Sequence, residues 1–135
     1  MRVLILAASG AHFAVPMASV HQVLRHPFVT RIPLSPAGLL GIVHVRGEIV
    51  PLLDTAILTG TGSLSEPPFA VLVSDGDDMV ALAAEELPIA ADLDEPVGAG
   101  GQPGEVAVYS NGGRLVVLID VEELVKNRLD LKRAS

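Results

Sequence analysis

Four histidines are the first side chains in this sequence that could do chemistry: His12, His21, His26 and His44. Their spacing matches no zinc-binding pattern such as HExxH, in which two histidines one helical turn apart face the same metal. The chain contains no cysteine, which excludes disulfides, thiolate metal sites and cysteine nucleophiles. We therefore predict no metal site and no cofactor, and we interpret the histidines as ordinary surface or half-buried residues.

The remaining candidates for catalysis are one glycine-rich segment and two aspartates. The segment GAGGQPG at residues 98–104 lacks the Lys-Ser/Thr pair that completes a phosphate-binding loop, and no GxSxG motif supplies a nucleophile elbow. Asp54 and Asp120 each follow an apolar run and precede a helical pattern, which suits a helix N-cap better than acid–base catalysis. The sequence therefore predicts a protein that is not an enzyme.

Arg46 is the residue whose position suggests binding. It lies in the segment HVRGE, a tight turn between two apolar strands, where Asn, Asp or Gly would be usual. Arginine often anchors protein interfaces, because its planar guanidinium can donate two parallel hydrogen bonds to a carboxylate. The residues alone leave two interpretations open, an interface arginine and an ordinary surface arginine.

The elements that must position these side chains are predicted to be β-strands. Short runs rich in Val, Ile and Leu recur between Gly, Pro and Asp residues, a pattern typical of small β-barrels and sandwiches. We therefore predict an all-β fold with one short helix near the C-terminus. The predicted strands are Val3–Ala8, His12–Pro16, Val20–Arg25, Leu40–Val45, Glu48–Leu53, Phe69–Ser74, Met79–Ala84, Leu87–Ala91, Glu105–Ser110 and Arg114–Ile119.

A second pattern relates the first half of the chain to the second half. Under an offset of 66 residues, Gly10 falls on Gly76 and Asp54 falls on Asp120, and the segment GEIVPLLDTAIL matches GRLVVLIDVEEL. The order of turn, strand, aspartate and helical turn is the same in both segments. This recurrence indicates an internal duplication.

Three segments fall outside the strand pattern. Thr59–Pro68 is predicted to be a surface linker between the halves, because it is rich in Thr, Ser, Gly and Pro. Asp92–Gly104 is acidic and rich in glycine, which predicts a long, mobile loop. Val121–Ser135 is predicted to be a helix that frays towards its end.

Charge and hydropathy limit the classes of partner. The chain has 135 residues, half of them hydrophobic, and a net charge of -7, which argues against a nucleic-acid-binding surface. Residues 1–65 carry four arginines and two acids, whereas residues 66–125 carry one arginine and thirteen acids. The last ten residues carry four basic residues and one acid. The molecule is therefore electrically polarised between its halves.

The N-terminal segment MRVLILAASGAHFA superficially resembles a signal peptide, but it carries only one basic residue, and we favour a first strand. No apolar run approaches the roughly 18 residues that cross a bilayer. We therefore predict a cytoplasmic protein without direct membrane insertion, and the absence of cysteine is compatible with a reducing compartment.

Two long stretches resemble the CheW-like domain family. They are FAVPMASVHQVL at residues 13–24 and IPLSPAGLLGIVHVRGEIVPLLD at residues 32–54. The family has an apolar-Pro step, a Val-x-Glu-Val strand, a Pro-x-x-Pro segment, an Arg-Gly turn and an apolar strand that ends in aspartate. RLVVLIDVEELV at residues 114–125 resembles the closing strand and helix of the same domain.

The resemblance implies a single CheW-like domain over residues 1–135, with sequence halves 1–65 and 66–135. It implies two SH3-like, five-stranded β-barrel lobes related by pseudo-two-fold symmetry, a short C-terminal helix, and terminal strands that exchange between the lobes. It also implies a non-enzymatic adaptor that couples the cytoplasmic tip of methyl-accepting chemoreceptors to the regulatory domain of a CheA-type histidine kinase. The residues matched to the family's partner-binding surface are Val20, Gln22, His44, Arg46 and Gly47.

Two of these positions depart from the family pattern. Gln22 stands where the family usually has Glu, and His44 stands where it usually has Asn. An ion pair between Arg46 and that Glu would be reduced here to a neutral hydrogen bond with Gln22. The alternative function is a small cytosolic ligand-binding barrel or enzyme in which the loop at residues 92–104 serves as the lid.

Overall fold

The fold is a pair of β-sheets with short helical turns between strands, in a computed structural model that describes residues 1–129. The prediction of an all-β fold with a short C-terminal helix is confirmed. The helices are α1 (Thr55–Thr59) and α2 (Val121–Leu124). The strands are β1 Arg2–Ala8, β2 Ala11–Pro16, β3 Val20–Arg25, β4 Leu39–Val45, β5 Glu48–Leu53, β6 Phe69–Asp75, β7 Asp78–Ala84, β8 Ile89–Asp92, β9 Gly98–Ala99, β10 Glu105–Asn111 and β11 Arg114–Ile119.

Each sheet combines strands from both halves of the sequence. The six-stranded sheet has the order β8-β1-β2-β11-β10-β9, and the five-stranded sheet has the order β3-β6-β7-β5-β4. In both sheets a hairpin from one half joins a hairpin from the other through one parallel pair, β2 with β11 and β5 with β7. The remaining named pairs in these two sheets are antiparallel.

The two parallel pairs show how the halves correspond. Leu52 pairs with Ala81 in the five-stranded sheet, and Leu118 pairs with Ala14 in the six-stranded sheet. Leu118 follows Leu52 by 66 residues, but Ala81 follows Ala14 by 67 (81 − 14). The duplication is therefore real in the strand pairing, although the offset is not constant along the chain.

The predicted match of Gly10 with Gly76 is wrong by one residue. Ala8 pairs with Ala11 across the first hairpin turn, and Asp75 pairs with Asp78 across its counterpart. Gly76 is therefore the counterpart of Ser9, the first residue of the turn. Gly76 and Ser9 both take a positive φ, 64° and 50°. The two turns therefore have the same length, but glycine occupies the second position in one and the first position in the other.

The prediction of a single loop over Asp92–Gly104 is wrong in part, because a short strand lies inside it. Gly98 and Ala99 form β9, which pairs with β10 and is the sixth strand of the six-stranded sheet. The amide of Val97 donates to the carbonyl of Val108 at 2.7 Å, and Leu93 is buried in the core. The glycines indicated a loop because glycine is depleted in strands, but this strand is only two residues long.

The counterpart of β9 in the first half is an isolated bridge. Thr30 pairs with Ile42 by two backbone hydrogen bonds of 2.9 Å, just as Gly98 pairs with Val108. The two sheets therefore have the same arrangement of strands. One has six strands and the other five because this pairing is two residues long in the second half and a single bridge in the first. The segment that follows β3 corresponds to the segment that follows β8.

Three buried apolar clusters account for the two-lobed packing. One lies within the five-stranded lobe: Val43, Val50, Leu52, Ala70, Leu72, Ala81 and Ala83. A second lies within the six-stranded lobe: Val3, Ala14, Leu93, Tyr109, Val116 and Leu118. The third draws on both sheets and includes Leu6, Phe13, Val71, Leu82 and Ile119. Alternate residues of β6 and β7 thus face the interior of a lobe and the junction between lobes.

Both predicted aspartate caps are present, with different numbers of bonds. Asp54 is buried, and its carboxylate accepts from the amides of Ala56 at 2.9 Å, Ile57 at 3.2 Å and Leu64 at 2.8 Å. Asp120 is exposed and accepts one bond, from the amide of Glu123 at 3.2 Å. Asp54 therefore starts α1 and also fixes the linker that follows it.

Two predicted ranges shift in the structure. The strand expected at Leu87–Ala91 runs over Ile89–Asp92, where it pairs with β1. The helix expected over Val121–Ser135 is α2, which continues as a π-helical turn over Val125–Leu129. The rest of that predicted range, residues 130–135, lies outside the described residues. The other predicted strands shift by no more than one residue at an end.

Candidate protein-binding surface

The residues that the sequence predicts to bind a partner lie at one end of the five-stranded sheet. The turn between β4 and β5 contains Arg46 and Gly47, and β5 runs parallel to β7, so this turn lies at the same end as the β6–β7 turn. β3 is antiparallel to β6 and begins at Val20, opposite Val73, so its start lies there too. We call this surface the Arg46 end; it comprises residues 20–22, 44–49 and 75–78.

Arg46 adopts a backbone conformation that its side chain disfavours. Arg46 and Gly47 have φ angles of 51° and 82°, and two positive values in a two-residue turn mark a type I′ hairpin. That turn favours Asn, Asp or Gly at its first central position, because a Cβ clashes there at a cost of about 1–2 kcal/mol. The counterpart turn in the second half has Gly112 and Gly113. Folding therefore provides no reason for an arginine at this position.

Val20 and Gln22 flank an irregularity in β3. The register shifts between them, so His21 is left without a partner in β6, while Gln22 pairs with Leu72. The extra residue is a β-bulge, which re-aims side chains and is common at binding sites. His21 Nε2 lies 2.7 Å from Ser74 Oγ, Gln22 is exposed, and Val20 packs against the core.

His44 lies on the outer face of the β4–β5 hairpin. Val43 and Val45 point into the lobe interior, so alternation directs His44 outwards, opposite Ile49. Both side chains are exposed, and Ile49 is 63% accessible. His44 and Ile49 therefore present a polar ring and an apolar side chain beside the Arg46 turn.

Three polar side chains of the Arg46 end are free to bind a partner. Within residues 1–129, the side chains of Arg46, Gln22 and His44 form no hydrogen bond or ion pair. The neutral hydrogen bond expected between Arg46 and Gln22 is therefore absent, and that expectation is wrong. The two residues lie on separate strands, β3 and the β4–β5 hairpin, which are at opposite edges of the sheet order.

An open groove of about 710 Å³ lies at the same end. Its walls combine apolar side chains from β5 and β7 with polar and acidic side chains from β3 and the β6–β7 turn: His21, Ile49, Pro51, Ser74, Asp77, Asp78 and Met79. Sequence reasoning missed most of these residues. The acidic turn DGDD was visible in the sequence, but the bulge at His21 and the exposure of Ile49 have no sequence signal.

The described part of the chain offers no arrangement typical of metal chemistry or membrane spanning. No group of three or more His, Asp or Glu side chains in residues 1–129 is positioned to hold a metal ion. No helix in that range is long and apolar enough to cross a bilayer. What the Arg46 end does provide is an exposed cation, exposed apolar groups and unpaired hydrogen-bonding groups, which together suit a protein partner.

Comparison with protein families decides which kind of domain this is. The model of the CheW-like domain matches residues 2–129, nearly the whole chain. The chain belongs to the CheW-like domain family. CheW-like proteins are scaffolds, and the prediction that this chain is not an enzyme is confirmed by its membership of the family.

Individual relatives of this CheW-like chain are distant. It is 24% identical to the chemotaxis protein CheW of Klebsiella aerogenes over 137 residues, which cover 92% of this chain and 81% of that protein. It is 35% identical to protein PilI of Pseudomonas aeruginosa over 52 residues, 38% of this chain. It is also 35% identical to a probable chemotaxis protein CheW of Rhizobium etli over 48 residues, 36% of this chain. The last two matches span only 29% and 31% of the relatives' own lengths.

A solved structure supports the two-lobed fold. The crystal structure of the scaffolding protein TtCheW from Thermoanaerobacter tengcongensis superposes with a TM-score of 0.79. The superposition covers 91% of this chain and 86% of that one, at 18% sequence identity. At this identity the likeness shows the CheW-like fold, and the predicted pair of SH3-like lobes is confirmed.

Proposed function

We propose that this CheW-like protein is a cytoplasmic adaptor that couples chemoreceptors to a histidine kinase. One partner is the cytoplasmic tip of a methyl-accepting chemoreceptor, and the other is the regulatory domain of a CheA-type kinase. Membership of the CheW-like family supports this proposal, together with the names of the relatives from Klebsiella aerogenes and Rhizobium etli, both chemotaxis proteins.

The observation that carries the proposal is the strained, unpaired Arg46. An arginine in the left-handed conformation costs about 1–2 kcal/mol relative to glycine, and such strain is found mostly at functional sites. The side chain contributes no hydrogen bond or ion pair within the described residues that would offset this cost. A carboxylate on a partner would offset it, because two charge-assisted hydrogen bonds form at once.

The residues around Arg46 define the rest of the proposed contact. Gln22 offers an amide on β3, and His44 offers an imidazole beside the exposed Ile49. We propose that Arg46 and Gly47 orient the partner, that Ile49 supplies apolar area, and that Gln22 and His44 select among partners. A neutral Gln22 attracts a cationic partner less than a glutamate would, and it therefore favours a partner with neutral polar groups at that point.

A ligand-binding barrel with residues 92–104 as its lid receives no support from the structure. β9 lies within this segment and pairs with β10, and Leu93 is part of the core of the six-stranded lobe. A segment held by strand pairing and by a buried leucine is part of the barrel wall.

Coupling is tested directly with purified components. The cytoplasmic fragment of a chemoreceptor and the regulatory domain of a CheA-type kinase, both from the same organism as this chain, are sedimented separately and together, with and without the chain. We expect a complex of all three that does not form when the chain is omitted. Binding of neither component would contradict the proposal, and binding of one alone would limit the chain to a single partner.

A further inference from the structure

The groove at the Arg46 end carries more negative charge than its fold requires. Part of its wall is the β6–β7 turn, in which Asp75 lies directly opposite Asp78 and Asp77 lies between the strands. Like charges directly opposite each other destabilise a hairpin. The corresponding residues of the first hairpin, Ala8 and Ala11, are uncharged and flank a turn of the same length. The acidic residues therefore serve something other than the turn.

Three carboxylates of this groove are available to a cation. Glu48, Asp77 and Asp78 are exposed, and among the side chains that the structure describes they form no hydrogen bond or ion pair. Glu48 begins β5, the strand beside β7, and so adds its charge to the same groove. Ile49 and Met79 give the groove an apolar lining. It therefore suits a segment that combines cations with an apolar side chain.

A basic segment of this chain begins at the wall of the groove. Val125 is buried and lines the groove directly after α2. The ten residues that follow it carry four basic residues and one acid. Lys126 already has a partner, because its Nζ lies 4.0 Å from Oε1 of Glu122. The cations that remain for the groove are therefore further along the chain.

Residues 130–135, which lie outside the described residues, have the composition that the groove suits. Their sequence is DLKRAS, with Lys132 and Arg133 next to the apolar Leu131. A chain spans at most about 3.3–3.6 Å per residue, so the eight residues from Val125 to Arg133 reach no more than roughly 26–29 Å. Because this reach starts at the groove wall, the whole groove lies within it.

We infer that residues 130–135 bind in the groove of the same molecule. Lys132 and Arg133 lie against the carboxylates of Asp77 and Asp78, and Leu131 packs on the apolar lining. A segment joined to its site by a short linker has an effective concentration in the millimolar range. A contact that would be weak between separate molecules is therefore enough to fill the groove for part of the time.

The bound segment competes with a partner for the Arg46 end. This consequence rests on the proposed function, because it assumes that a partner binds there. The apparent affinity of the partner falls in proportion to the fraction of molecules whose groove is free. If the segment fills the groove in about half to four-fifths of the molecules, partner binding is weakened about two- to fivefold. The segment thus regulates the surface that the coupling function uses.

Backbone amide resonances of the full chain test the contact without any partner. Lys132→Gln together with Arg133→Gln is expected to shift the resonances of residues 76–78. Arg2→Gln together with Arg114→Gln is the matched control, because it removes the same charge from exposed positions of the six-stranded lobe. This control is expected to leave residues 76–78 unchanged. Added salt is expected to move the wild-type resonances towards those of the first variant, because it screens the charges.

Three results of this experiment overturn the inference. One is that the resonances of residues 76–78 do not respond to Lys132→Gln with Arg133→Gln, and another is that the control shifts them equally. The third is that the wild-type resonances of residues 76–78 change on dilution. Such a change would mean that the segment binds to a second copy and not within its own molecule.

Calorimetry with the chemoreceptor fragment and the kinase regulatory domain tests the competition. Lys132→Gln together with Arg133→Gln is expected to bind at least one partner about two- to fivefold more tightly than wild type. The control variant is expected to bind like wild type. Unchanged or weaker binding by the first variant overturns the competition. If neither partner binds wild type or variant, the proposed coupling function fails, and the resonances alone decide whether the segment binds in the groove.

Discussion

Arg46 and Gly112 occupy the same position of a two-residue hairpin turn in the two halves of the chain, with φ angles of 51° and 61°. The second half has the residue that the backbone favours, and the first half has one that the backbone disfavours. Since the turns are otherwise equivalent, the fold does not require an arginine. The difference between the halves identifies Arg46 as a residue retained for something other than folding.

The strain at Arg46 predicts the effect of exchanging residues between the two turns. Arg46→Gly removes a clash of about 1–2 kcal/mol but adds about 0.5–1 kcal/mol of chain entropy to the unfolded state. We expect stability to be unchanged or about 1 kcal/mol higher, whereas Gly112→Arg should lower it by about 1 kcal/mol. Urea unfolding of both variants is the measurement. A clear loss of stability in Arg46→Gly would show that the arginine supports the fold.

The duplication predicts equal effects at equivalent core positions. Leu52 and Leu118 are both buried, one in each lobe, and each takes part in the parallel pair of its sheet. Leu52→Ala and Leu118→Ala should each destabilise by about 2–4 kcal/mol, through lost transfer energy and the cavity left behind. Urea unfolding with a common m-value would measure this. If only one of the two substitutions matters, the lobes do not contribute equally to stability.

The two aspartate caps should differ in their contribution to stability. Asp54 is 1% exposed and accepts three backbone hydrogen bonds, so Asp54→Ala leaves buried amides unpaired and should cost about 2–4 kcal/mol. Asp120→Ala removes one exposed cap bond and should cost about 0.5–1 kcal/mol. Thermal unfolding of the pair is the comparison. Equal losses would mean that the bond from Asp54 to the linker contributes nothing.

Much of the fold was predictable because β-branched runs and turn residues dominate this sequence. The hairpin around Arg46 and the aspartate caps were predictable from local signals: an Arg-Gly pair between two apolar runs, and an aspartate before each helical segment. β9 was missed because its two residues, Gly98 and Ala99, have low strand propensity and are held by pairing with distant Val108. The match of Gly10 with Gly76 failed because the glycine occupies a different place in the two turns, which only strand register reveals.

The candidate surface was predictable only in part. Arg46 was found because arginine is unusual in a tight turn, but the strain that makes it informative is a backbone angle. The bulge at His21 and the exposure of Ile49 depend on how the strands pair and on which side chains the rest of the fold covers. Half of the residues in this sequence are hydrophobic, and the sequence alone does not indicate which of them remain exposed to solvent.

We propose that Arg46 binds a partner and does not serve the fold. The most direct test of this proposal is the affinity of Arg46→Gly for the chemoreceptor fragment and for the kinase regulatory domain, measured by calorimetry. Arg114→Ala, an exposed arginine on the equivalent hairpin of the other lobe, is the control. We predict that Arg46→Gly weakens binding of at least one partner by about 1–3 kcal/mol, or roughly 5- to 150-fold in Kd, while Arg114→Ala binds like wild type. Unchanged affinity of Arg46→Gly for both partners would contradict the account.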